Sequence, residues 1–219
     1  MITKLFLQQA RAIIFDMDGV LVDTEPIHIA VEREIFNLLN IDVSEIYHHT
    51  FVGRSSKEMW ADIRLNYKLD HTIEQLTALK REKYMDHLER LEEMPIIPGV
   101  KDFLQYLTLD GKVLALASSS ALPNILYIIK RCGIKDYFSV IVSGNDLPRS
   151  KPDPAIFLLT AQKLGITPAD CLVIEDAEAG ISAAKSAGMR CLGYKGLSYM
   201  GQNISAADVV IEDFLQLIA

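Results

Sequence analysis

Short, unbroken apolar runs recur along this chain at Ala12–Phe15, Val113–Ala117, Val140–Val142, Cys171–Ile174, Arg190–Tyr194 and Asp208–Ile211. Between most of them, apolar residues repeat with helical spacing, at about 100–109, 123–132, 154–164 and 178–187. Continuous apolar strands alternating with helices predict an α/β fold whose parallel sheet is covered on both faces. Ligands of such sheets sit at the carboxyl ends of the strands. One helix start is specified in detail. In Lys151-Pro152-Asp153-Pro154, Asp153 is predicted to cap a helix and Pro154 to occupy its first turn. Lys151 then falls just before that helix, on the loop side of the sheet.

The alternation breaks after the first strand. From Pro26 to Met94 the pattern is helical only, at about 26–39, 56–65 and 73–91. Pro95 and Pro98-Gly99 close this stretch with strong turn signals. The predicted organisation is a core of residues 1–24 and 95–219 with a helical cap, 25–94, inserted into it. The connections near Asp23–Pro26 and Glu92–Pro98 would act as the hinge. Within the cap, Ile73, Leu76, Tyr84, Leu88 and Leu91 form a helical stripe with Lys80 at its centre. Either Lys80 snorkels its charge to the edge of a packed face, or the stripe opens there and Lys80 meets an anionic substrate.

Composition narrows the function classes. The 219 residues suit one large domain or a core with a smaller insert, and half are apolar, enough for a full core. A formal charge of −7 disfavours nucleic acid and anionic membranes, which need a basic surface, yet permits a locally positive pocket. The three cysteines, Cys132, Cys171 and Cys191, are widely spaced. That argues against a disulfide framework or thiolate zinc site and fits a reducing cytosol. Cys171 and Cys191 lie in apolar runs and read as small buried hydrophobes. The start of the chain lacks the apolar stretch of a signal peptide, and no segment is long enough to span a bilayer. The expectation is a cytoplasmic protein, monomeric or weakly dimeric.

The candidate chemistry lies at strand ends. Asp16 and Asp18, in Asp16-Met17-Asp18-Gly19, follow the first strand. Two carboxylates this close repel, so a cation is expected between them, and hard oxygen ligands favour Mg²⁺. Glu175-Asp176 ends another strand and would complete the metal site. Ser118 can hydrogen-bond a phosphoryl oxygen, Lys151 can offset its charge, and Gly19 lets the backbone approach a ligand. Each feature alone has a plain structural reading: a solvated strand end, a turn serine, a surface lysine, a helix cap. Their joint occurrence in this order is what points to catalysis.

These residues resemble the four motifs of the haloacid dehalogenase superfamily. The first is Asp16-Met17-Asp18-Gly19-Val20-Leu21-Val22-Asp23-Thr24 and the second Ser118 after Val113–Ala117. The third is Ser150-Lys151-Pro152-Asp153-Pro154, and the fourth Glu175-Asp176-Ala177-Glu178-Ala179-Gly180-Ile181, continuing to Ala187-Gly188-Met189. The resemblance covers nearly the whole chain and implies a Rossmann-like core. The all-helical insert is similar to that of the subgroup containing β-phosphoglucomutase and phosphoglycolate phosphatase. The resemblance implies that Asp16 attacks phosphorus to form an aspartyl-phosphate. Asp18 would act as acid, then base, and lend its backbone carbonyl to the metal. Asp16, Asp176 and Glu175 would supply the metal's carboxylates. Mg²⁺, Lys151, Ser118 and the Ser119 amide would stabilise the transferring group. Asp18 argues against dehalogenation, because dehalogenating sister families lack a second aspartate.

The resemblance also places His28 and Lys80 where the mutase subgroup has cap residues for acid–base gating and substrate contact. His28 reads equally as an ordinary polar residue of the first cap helix. Two departures weaken the mutase reading. Ser56 stands where that subgroup has an arginine for a second phosphate, with Arg54 or Lys57 as differently placed substitutes. Ala121-Leu122 replaces a Lys-Asn pair. The expected activity is therefore a Mg²⁺-dependent phosphatase for a small phosphorylated metabolite, sugar phosphates being candidates. A sugar phosphomutase is the alternative. An idle phosphate-binding regulatory module is disfavoured by the complete catalytic set.

Overall fold

The computed structural model describes residues 2–51, 55–145, 147–196 and 202–218. Among them six strands pair throughout in parallel: β1 (Ala12–Phe15), β2 (Val113–Ser118), β3 (Val140–Ser143), β4 (Cys171–Glu175), β5 (Arg190–Tyr194) and β6 (Val209–Ile211). Their order is β3-β2-β1-β4-β5-β6. The chain direction across the sheet reverses between β1 and β4, the switch point at which such folds leave a crevice for ligand. β2 and β4 run one residue beyond the predicted ends and so take in Ser118 and Glu175.

All of β1 is buried, as a central strand covered on both faces requires. Ala12 and Ile14 join one apolar cluster with Val173 of β4, Phe157 and Ile181. Phe15 points to the other face, where its ring meets Phe103 edge-on at 6.1 Å. Phe214 stacks between Phe103 and Tyr194 there. The α-helices that accompany the sheet are α1 (Ile2–Gln9), α6 (Val100–Leu109), α7 (Leu122–Arg131), α8 (Ala155–Leu164) and α9 (Glu178–Ser186). The apolar pattern did not yield α1. Lys112 Nζ secures its end by donating to the carbonyls of Gln8 and Ala10. At α8, Pro154 is the boundary residue rather than part of the first turn, and Asp153 Oδ1 accepts the Ala155 N–H at 3.0 Å. The three cysteines are free and buried. No helix among the described residues is long and apolar enough to cross a membrane.

The chain divides into two compact units, Met1–Asp23 with Met94–Ala219, and Thr24–Glu93. The second is built from α2 (Glu25–Leu38), α3 (Glu45–His49), α4 (Ser56–Tyr67) and α5 (Ile73–Arg90). Ser55 with Glu58 and Thr72 with Gln75 form capping boxes that fix where α4 and α5 begin. Ile35, Phe36, Trp60, Ile63, Leu76 and Leu88 are buried in its interior. The segments on either side of the insert run together. The Asp23 N–H donates to Pro95 O at 2.8 Å, and the Ile97 N–H to Leu21 O at 3.0 Å.

Candidate active site

Parallel register brings three strand ends level. Phe15 pairs with Leu116 of β2 and with Ile174 of β4, so Asp16, Ala117 and Glu175 come next on adjacent strands. Lys151 reaches all three. Its Nζ lies 2.5 Å from Asp16 Oδ1, 2.6 Å from Glu175 Oε1 and 3.4 Å from Ala117 O. The lysine side chain is 9% exposed. Burial works against its charge, but Asp16 and Glu175 outweigh that and raise the Lys151 pKa above the usual lysine range. It stays an ammonium, placed to balance negative charge.

Glu175, expected as a metal ligand, touches Lys151 and the start of α9. One oxygen takes Lys151 and the other accepts the Ala177 N–H at 2.9 Å, at the start of α9. Its carboxylate fills the space beside Gly180, where a Cβ would lie 1.7 Å from Oε1. Asp176 is the member of the pair that meets the loop after β1. A Cβ on Gly19 would lie 2.1 Å from Asp176 Oδ2, and Gly19 has φ +78°, a left-handed conformation that suits glycine.

Asp18 is held by a serine turn. Ser120 Oγ donates to Asp18 Oδ2 at 2.9 Å, with Ser118 Oγ at 3.4 Å. Ser118 Oγ in turn accepts the Ser120 N–H at 3.0 Å, and Ser143 Oγ donates to Ser120 O at 2.7 Å. Ser118 is fully buried and Ser119 exposed. Ser120 is the contact that sequence reasoning missed. The run Ser118-Ser119-Ser120 after an apolar strand was the signal available for it.

The donor set fits a magnesium ion. Burial raises the Asp16 carboxyl to about 7; Lys151 pulls it down, and Glu175 and Asp18 push it up. Burial also lifts Asp176 well above the carboxylate range, and Glu175 and Asp16 add to the effect. Full ionisation of these carboxyls would put more negative charge here than Lys151 offsets, so the site favours protons unless a cation joins it. Among the described residues no three acidic, histidine or cysteine side chains form a ready ligand cluster. Mg²⁺ does not need one, since it commonly binds through one or two carboxylates and completes its shell with other oxygens.

In the helical unit, His28 of α2 stacks on Tyr84 of α5 with ring centroids 4.3 Å apart. Lys80 does not snorkel. Its Nζ donates to Glu32 Oε1 at 2.5 Å and to Ser56 Oγ at 3.0 Å. Arg54 lies outside the described residues. Lys57 is exposed, as is Leu122 at the start of α7.

A doubly wound parallel sheet with a carboxylate cluster at its switch point, neutralised in part by one buried lysine, defines an α/β enzyme of the phosphoryl-handling type. The chain belongs to the haloacid dehalogenase-like hydrolase family, whose model matches residues 13–194, and this bears out the resemblance carried by the motifs. It is 35% identical to the beta-phosphoglucomutase of Bacillus subtilis (strain 168), over 92% of this chain and 88% of that protein. It is 33% identical to the phosphorylated carbohydrates phosphatase of Thermotoga maritima, over 82% of each. The crystal structure of CbbY from Rhodobacter sphaeroides in complex with phosphate matches with a TM-score of 0.85 and 27% identity, over 95% of this chain and 96% of that one.

Proposed function

We propose that this enzyme is a Mg²⁺-dependent phosphatase of phosphorylated sugars, with Asp16 as nucleophile. The observation that carries the reading is the Lys151 bridge between Asp16 and Glu175, with Asp18 held by the serine turn of the same strand edge. Two curated relatives named for phosphorylated sugars, one a mutase and one a phosphatase, support the substrate class.

In this mechanism an Asp16 oxygen bonds to phosphorus as the ester oxygen leaves, and Asp18 gives that oxygen its proton. Asp18 then takes a proton from water as the water attacks phosphorus, which frees phosphate and restores Asp16. Lys151 balances charge on the phosphoryl oxygens, with Ser118 and the Ser119 amide as hydrogen-bond donors. Glu175 orients Lys151. Asp16, Asp176 and the Asp18 carbonyl would hold Mg²⁺, which supplies further positive charge where the phosphoryl group sits. The helical unit, Thr24–Glu93, would serve as the cap that selects the substrate.

The identity to beta-phosphoglucomutase favours a second reading, the sugar phosphomutase. Incubation with Mg²⁺ and a panel of sugar phosphates, including β-glucose 1-phosphate primed with trace bisphosphate, separates the two. We expect phosphate release that falls by at least about 10³-fold in Asp16→Asn. Efficient glucose 6-phosphate formation without free phosphate would overturn the phosphatase reading in favour of the mutase.

A further inference from the structure

Each of the four helices described in the inserted unit contributes one polar side chain to a single cluster: Glu32 from α2, His48 from α3, Ser56 from α4 and Lys80 from α5. Glu32 is its centre. One oxygen takes Lys80 Nζ and the other lies 2.5 Å from His48 Nε2. The cluster is buried, with side-chain exposures of 11% for Glu32, 5% for His48 and 12% for Lys80. Phe36 meets the His48 ring edge-on at 4.9 Å and Trp60 packs beyond it, while His28 lies near enough for its charge to act on Glu32.

Stability alone does not account for these charges. A well-packed apolar pair is often as stable as a buried ion pair or more so, so a stable core does not require these charges. The geometry of Lys80 points elsewhere. An ammonium has three donors. Glu32 and Ser56 take two, and the third has no partner among the described residues. Among the described residues Lys80 is thus held by two acceptors with one donor left over, and its charge is matched by Glu32.

We infer that Glu32 is a positioning residue that fixes and neutralises Lys80, so that the helical unit binds a hydroxyl of a monophosphorylated sugar rather than a second phosphate. This rests on the cap reading given above. Ser56 belongs to the same arrangement. It supplies a neutral oxygen that accepts from Lys80 and adds no cation of its own. A charge-matched ammonium still donates to a hydroxyl oxygen, but has little net field left to draw a dianion.

The test compares kcat/KM for fructose 6-phosphate and fructose 1,6-bisphosphate in the wild type, Glu32→Gln, Lys80→Met and the Glu32→Gln/Lys80→Met double variant, with thermal melts to confirm folding. In Glu32→Gln the ratio shifts toward the bisphosphate by about ten-fold, mainly through KM. The double variant loses that gain, because no cation remains to be uncovered. If Glu32→Gln does not fold, Glu32→Asp, which pulls the carboxylate back from Nζ, shows a smaller shift in the same direction. Parallel losses on both substrates, with the ratio unchanged, overturn the inference and leave Glu32 a packing residue. Ratios and KM values unchanged in Lys80→Met overturn the cap reading and the inference with it. The phosphatase chemistry is judged apart from both, by phosphate release from the wild type.

Discussion

Gly180 has no side chain because Glu175 occupies the place where one would stand. Gly180→Ala puts a Cβ 1.7 Å from Glu175 Oε1, so the carboxylate must move and Lys151 loses one of its two anions. Displacement on the scale of an ångström near reacting groups costs about 10²-fold. We expect kcat to fall by about that much and the melting temperature to drop, measured by steady-state phosphate release and a thermal melt. Wild-type kcat in this variant would show that Glu175 does not orient Lys151. The sequence made Asp16, Asp18, Lys151 and Asp176 legible, because each follows an apolar strand or precedes a helix that the pattern marks. It did not separate the tasks of Glu175 and Asp176. Adjacent residues at a strand end point different ways, and only the positions of Gly19 and Gly180 reveal which carboxylate meets which neighbour. Ser120 stayed hidden because its bond to Asp18 crosses between two loops.

At the scale of the element, the long helices of the insert were readable within one or two residues, since the 3.6 period of their buried stripes persists over three or more turns. α3 was not, because its 5 residues are too few for the period to repeat, and it is α3 that carries His48. A stripe interrupted by Lys80 says nothing about which partner answers it, so Glu32 went unnoticed. Glu32 predicts how the helical unit responds to acid. Burial would raise its carboxyl, but the hydrogen bond from His48 and the charge and hydrogen bond of Lys80 prevail and hold it at about 2, against 4.5 for a free glutamate. A depressed pKa stabilises the fold fully above the unfolded value and loses that contribution as pH falls toward the folded one. We expect about 3 kcal/mol to disappear between pH 4.5 and 2. Urea titrations at pH 6 and pH 3 would capture about 2 kcal/mol of it. Glu32→Gln lowers stability at pH 6 and flattens the acid dependence; an undiminished acid response in that variant would assign it to other groups.

For the molecule as a whole, the alternation of strands and helices specified a parallel α/β core, but not the order of the strands. That order depends on which neighbours each strand finds, and it is the order that sets β1 beside β4 and so Asp16 beside Glu175. The surplus of carboxyl groups over cations there has a global consequence. An ion that binds the folded state and not the unfolded chain stabilises it by about 2.7 kcal/mol at a hundredfold excess over its Kd. Mg²⁺ is therefore expected to raise the melting temperature, and Asp176→Asn to abolish most of the rise. Equal shifts in wild type and variant would place the ion elsewhere. EDTA would remove turnover, and Mg²⁺ would restore it.

The paired segments at the root of the insert, joined through Asp23 and Pro95 and through Leu21 and Ile97, make its ends a stem. Seen from the sheet, everything from Thr24 to Glu93 is one loop closed at its base. The entropy of closing a flexible loop grows only with the logarithm of its length, about 0.6 kcal/mol for each doubling. A lineage can therefore lengthen, shorten or replace what stands on that stem at little cost to the sheet, and the strand ends that carry Asp16 and Glu175 are inherited intact.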